Sequence, residues 1–100
     1  MLQCLRGEYA SMERRTVHFS GHVQGVGFRY TAQEIARRYD VTGYVRNLDD
    51  GRVELVAEGE SSKIDGLIAS ICERMGQYVR KVHQHTDAPT GEFARFEIRH

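Results

Sequence analysis

The chain is expected to fold as an α+β sandwich, with two helices on one face of an antiparallel sheet. Three observations predict it. Apolar periodicity switches between two and 3.6 residues in the order βαββαβ. Each helical segment carries a single apolar stripe, so each has one face to bury against a sheet. The 100 residues suit one domain, with no internal linker, repeat or low-complexity stretch.

The elements follow in order. Strand one is expected near residues 15–20, with Val17 and Phe19 on one face. Helix one follows a glycine-rich segment. Phe28, Ala32, Ile35, Ala36 and Tyr39 recur at helical spacing and read as core packing. Strand two is expected near residues 41–48 and strand three near 52–58, joined by Asp50-Gly51 as a hairpin turn. Ser61 or Ser62 is a candidate cap for helix two, with Asp65 in its first turn. Ile64, Leu67, Ile68, Ile71, Cys72 and Met75 form its buried stripe, and Gly76 ends it. Strand four is expected near residues 78–86. A turn near residues 88–91 then leads to a short extra strand near 93–98.

Composition narrows the function. Hydrophobic residues make up 40% and charged residues 28%, an ordinary globular balance. Lys and Arg equal Asp and Glu, so a general nucleic-acid binder, which needs a basic excess, is not expected. The split is uneven: residues 1–48 hold seven basic against four acidic side chains, the remainder seven against ten. The half that carries the glycine-rich segment is the positive one, which suits an anionic substrate. No apolar run is long enough to span a membrane. Two cysteines, Cys4 and Cys72, make no disulfide framework, so a reducing cytoplasm fits. Residues 1–11 show no apolar period and no signal-type run, and are expected to be a mobile, dispensable extension before a domain at 12–100. Met12 lies just before strand one and is an alternative start to Met1.

The most informative stretch is Gly21-His22-Val23-Gln24-Gly25-Val26-Gly27-Phe28-Arg29-Tyr30, between strand one and helix one. Its glycines let the backbone curl so that successive N–H groups converge at a helix N-terminus, an anion site for phosphate. Arg29 adds a fixed charge and a planar fork of donors. The stretch is neither a P-loop nor a dinucleotide fingerprint. The second informative stretch is Gly43-Tyr44-Val45-Arg46-Asn47-Leu48-Asp49-Asp50-Gly51-Arg52-Val53.

Together these two stretches resemble the acylphosphatase family, whose signatures are G-x-V-Q-G-V-x-F-R and G-x-V-x-N-x-x-D-G-x-V. Every fixed position matches, and the resemblance runs from about Arg14 to the C-terminus. It implies the ferredoxin-like βαββαβ fold and a hydrolase that needs no cofactor or metal. It implies Arg29 as the phosphate-binding catalytic residue and Asn47 as the residue that orients water. The backbone of Val23, Gln24, Gly25, Val26, Gly27 and Phe28 is implied as the phosphate cradle. The reaction implied is acyl phosphate plus water to carboxylate plus phosphate, on a small-molecule substrate, by a monomer.

The residues themselves support that chemistry. An amide at Asn47 can hold a water and aim its lone pair at phosphorus; alone, Asn47 reads as a turn residue bonding its own backbone. Neither motif sets a Cys or Ser beside a His base, so no covalent intermediate is indicated. No acidic cluster with His suggests a metal pair. His22 reads as a solvated loop residue and His18 points away from the core. His83 and His85 read as an exposed strand face, not a metal pair. Two other readings stand beside the hydrolase. One is an RNA-recognition domain, disfavoured because strand three has no aromatic. The other is a non-catalytic phosphate- or acyl-phosphate-binding module of a larger assembly, disfavoured because no further domain is present.

Overall fold

The alternating segments form the sheet and the two striped segments cover it. The computed structural model describes residues 12–100. The elements are β1 (Met12–Gly21), α1 (Phe28–Ala36), β2 (Thr42–Asn47), β3 (Val53–Glu60), α2 (Ser61–Met75), a 3-10 turn (Gly76–Tyr78), β4 (Val79–Asp87) and β5 (Phe96–Ile98). The expectation of a mobile extension at residues 1–11 lies outside the described residues.

The strand order is β4-β1-β3-β2-β5. β1 pairs antiparallel with β3 and β4, and β2 pairs antiparallel with β3. The expected antiparallel sheet therefore accounts for four strands. The short fifth strand runs parallel to β2, so the whole sheet is mixed. The reason is topological. β4 and β5 occupy opposite edges, and the connection between them crosses the sheet instead of making a tight turn.

Both helices pack on the same face. Val17, Phe19, Val45, Val53, Leu55 and Ala57 point at them from the strands, each without solvent exposure. Phe28, Ala32, Ile35 and Ala36 answer from α1, and Ile64, Leu67, Ile68, Ile71 and Met75 from α2. α1 stops at Ala36, but Tyr39 in the following turn still packs on the core, and its hydroxyl meets the Ser70 hydroxyl at 2.7 Å.

The start of α2 differs from the serine cap expected. Glu60 is the N-cap and gives no side-chain cap. The Ser61 hydroxyl donates to Glu13, while Asp65 accepts from Arg15, whose guanidinium also binds Glu13. Ion pairing to β1 thus fixes the helix start. Gly76 ends α2 in a right-handed conformation that passes into the 3-10 turn.

On the face opposite the helices, residues 88–95 form a strap across β3. Glu58, only 5% exposed, is its fastening. Its carboxylate accepts from the backbone N–H groups of Thr90 and Gly91 at 2.9 Å each, and from the Thr90 hydroxyl at 2.8 Å. Burial works against the Glu58 charge, but these bonds and Arg14 outweigh it and hold the carboxyl below its usual range. Phe93 in the strap packs edge-on to Tyr44, with Arg99 stacked 4.2 Å above the Tyr44 ring.

A carboxyl whose folded pKa is depressed stabilises above its unfolded value, and that stabilisation disappears as pH falls through the folded value. Resistance to urea unfolding should therefore fall below about pH 4. Glu58→Gln would turn an amide N–H₂ toward donors, costing about 1–3 kcal/mol at neutral pH. The variant should also show a flatter acid limb. Equal acid limbs in the two proteins would remove Glu58 from this role.

Candidate active site

The glycine-rich segment is a loop held at its apolar residues and turned by its glycines. Val23 and Phe28 are buried at 1% and 2% exposure, and Val26 packs against the same core. Phe28 lies against Phe19, with ring centroids 4.9 Å apart. Between these anchors Gly25 and Gly27 have φ of +80° and +79°. A Cβ at either would meet nothing within 4 Å among the described residues, so the loop requires glycine for conformation and not for space. At the loop entrance the His22 N–H donates to the Tyr78 carbonyl at 2.9 Å.

Gly27 is the N-cap of α1, in the left-handed region, and no side chain among the described residues caps this helix. Its first N–H groups are left for a ligand or solvent. Arg29 stands in that first turn, half-buried, with its Nη1 donating to Nδ1 of His100 at 3.2 Å. Asn47 ends β2. Its neighbour Arg46 projects to the other face of the sheet and pairs with Glu54 at 2.8 Å. There Glu54 also meets His18 at 3.0 Å and accepts from the Tyr44 hydroxyl.

One small cavity of about 160 Å³ is lined by Val23, Gly25, Gly27, Phe28, Arg29, Tyr30 and Asn47. The fold thus brings Arg29 and Asn47 to one place with most of the expected cradle. Gln24 and Val26 do not line it. The Gln24 amide instead donates to the carbonyls of Leu48 and Arg52, at 2.8 and 3.0 Å, bridging the loop to the β2–β3 hairpin. The hairpin closes through Leu48 N–H to Arg52 carbonyl at 2.8 Å, and Asp50 accepts from Arg52. Sequence reasoning did not single out Tyr30 or His100. Tyr30 adjoins the motif without being one of its fixed residues. His100 reaches Arg29 only because β5 brings the far end of the chain beside α1.

Larger hollows lie elsewhere, so size does not choose the site. One of about 550 Å³, open to solvent, is lined by Ser20, Gly21, His22, Arg80 and Lys81. Another of about 480 Å³ includes Gln33, Arg37, Asp40 and Arg95. What the small cavity has, and these lack, is a glycine-turned loop leading into a helix N-terminus, with a guanidinium and an amide facing it.

A family model described as Acylphosphatase matches residues 15–98. The chain belongs to the acylphosphatase family. An acylphosphatase of Roseiflexus sp. (strain RS-1) is 45% identical over 89 residues, covering 87% of this chain and 95% of that protein. The crystal structure of acylphosphatase from Bacillus subtilis superposes with a TM-score of 0.80 at 30% identity, covering 89% of this chain and all of that one. The structure of an acylphosphatase from Coxiella burnetii gives 0.78 at 34% identity, covering 91% of this chain and 96% of that one. The fold, enzyme class and small acyl phosphate substrate of the family are therefore those of this chain. Among the described residues no helix is long and apolar enough to cross a membrane.

The Gln24 bridge has a measurable consequence. Gln24→Ala removes two hydrogen bonds but leaves each carbonyl its hairpin partner, so stability should fall by only about 1–2 kcal/mol. Turnover should fall about tenfold or more, because the loop and Asn47 lose their fixed spacing. Gln24→Glu, which sets a carboxylate against two carbonyls, should be worse on both counts. Thermal melts with acyl phosphate kinetics check this, and full turnover in Gln24→Ala would contradict it.

Proposed function

We propose that Arg29 and Asn47 are the catalytic residues of this acylphosphatase and that the loop backbone from Val23 to Phe28 cradles the phosphoryl group. One observation carries the proposal. Arg29 from α1 and Asn47 from β2 line the same small cavity at the N-terminus of α1. Loop N–H groups and the Arg29 guanidinium donate to the non-bridging phosphate oxygens and offset their charge as the bond to the acyl oxygen breaks. The Asn47 amide holds a water on the side of phosphorus away from the leaving group. Water oxygen bonds to phosphorus, the acyl oxygen leaves as carboxylate, and a phosphate oxygen takes the water's proton. A carboxylate leaves without a general acid, which suits a cavity that, among the described residues, is lined by no carboxylate, histidine or cysteine.

The same reading makes the reaction independent of metal and cofactor, since each role falls to a group of the chain. We further propose a monomer acting in the cytoplasm without a nucleic-acid partner; the two cysteines suit the cytoplasm and the zero net charge speaks against nucleic acid. Acylphosphatases matched over 95% and 100% of their own lengths favour the hydrolase over a binding module of a larger assembly.

The purified protein should hydrolyse benzoyl phosphate at an undiminished rate in excess chelator. Arg29→Lys keeps the charge but loses the fork, and should lower kcat/KM about a hundredfold or more. Asn47→Ala should lower kcat far more than it raises KM. Asn47→Asp should be nearly inactive and bind phosphate more weakly, whereas a mere turn residue would tolerate Asp. An active, folded Asn47→Asp enzyme would reject the role given to Asn47. Activity lost to chelator and restored by a divalent ion would reject the mechanism.

A further inference from the structure

The site described above accounts for the phosphoryl end of the substrate and leaves the acyl end without a partner. Its cavity of about 160 Å³ is well below the roughly 300–1,000 Å³ of ordinary small-molecule pockets. A phosphoryl group occupying it leaves the acyl group at the mouth. Few lining side chains remain to meet that group. Val23 and Phe28 turn into the core, at 1% and 2% exposure. Gly25 and Gly27 have no side chain. Arg29 and Asn47 are assigned to the phosphate and the water.

Tyr30 is what is left. It lines the same cavity, beside Arg29 in the first turn of α1, and is 74% exposed. Of the two large hydrophobic side chains exposed among the described residues it is the more exposed. The other, Met12, begins β1 and is not among the residues lining this cavity. The Tyr30 ring fills no place in the core and its hydroxyl has no hydrogen-bond partner among the described residues. A large aromatic held at a cleft mouth with no structural task is a surface available to an apolar group.

We propose that the Tyr30 ring is the acyl-side contact of this enzyme and directs it toward acyl phosphates with aromatic or bulky apolar acyl groups. The inference rests on the phosphate and water roles proposed above. Aromatic rings prefer offset or edge-to-face contact, so a benzoyl group beside Tyr30 gains attraction that an acetyl group does not. The contact touches neither phosphorus nor the attacking water. It therefore acts through the choice of substrate, in kcat/KM, and not through the chemistry common to all acyl phosphates.

The test compares kcat/KM for benzoyl phosphate with that for acetyl phosphate in the wild type, Tyr30→Ala and Tyr30→Phe. Intrinsic leaving-group differences cancel when the benzoyl-to-acetyl ratio is compared between proteins. The ratio should fall roughly three- to tenfold in Tyr30→Ala and stay within about twofold of wild type in Tyr30→Phe. An unchanged ratio in Tyr30→Ala overturns the inference, as does an equal loss on both substrates. A ratio lost as fully in Tyr30→Phe overturns the ring contact by assigning the effect to the hydroxyl. Each of these results leaves the hydrolytic reading standing. A wild-type protein that hydrolyses neither substrate overturns that reading, and this inference with it.

Discussion

The site depends on one side chain that never faces the cavity. The Gln24 amide ties the glycine loop to the β2–β3 hairpin through the carbonyls of Leu48 and Arg52. Arg29 belongs to the first body and Asn47 to the second. A site with no covalent chemistry of its own works by placement, so its rate is set by how firmly the two bodies share one geometry. The buried rings of Phe28 and Phe19 and the buried Val23 hold the loop's ends. Glycines alone would give the loop its shape without its rigidity. The Gln24 bridge supplies the rigidity, using a neutral amide that adds no charge beside an anionic substrate.

A second dependence runs through the back of the sheet. Glu58 fastens the strap, the strap sets the course of the chain into β5, and β5 pairs with β2 beside α1. Gly43 and Arg99 N–H groups complete that edge by donating to the Arg95 and Val45 carbonyls, at 3.0 and 2.9 Å. His100 follows β5 and meets Arg29. A buried carboxylate on one face thus supports the neighbour of a guanidinium on the other. The arrangement explains why Glu58 is a charged residue in a strand otherwise rich in buried apolar side chains.

Much of this was legible in the sequence, and the gaps have physical causes. The period-two and period-3.6 patterns located both helices and the four long strands, because burial on one face imposes those periods directly. The glycine motif and Asn47 stood out because unusual backbone and amide chemistry leave local marks. Gln24 was expected to lend its backbone to the cradle; the further bridge from its side chain to the carbonyls of Leu48 and Arg52 is set by strand pairing and invisible in its neighbours. The Val26 side chain packs against the core, which its place between two glycines does not reveal. The strap was expected as a turn, since nothing local distinguishes a turn from a crossing segment. Ser61 met the rule for a helix cap, but the ion pairs of Arg15 with Glu13 and Asp65 decided where α2 begins. Tyr30 passed unremarked because exposure is a tertiary property.

The central claim is that phosphate lies against the loop and Asn47 and not in the larger basic hollow beside His22. Titrating inorganic phosphate into ¹⁵N-labelled protein tests it most directly. The backbone amides of residues 23–28 and the Asn47 side-chain amide should shift together along one saturable curve. Shifts confined to Ser20, Gly21, His22, Arg80 and Lys81, with the loop unmoved, would contradict the account.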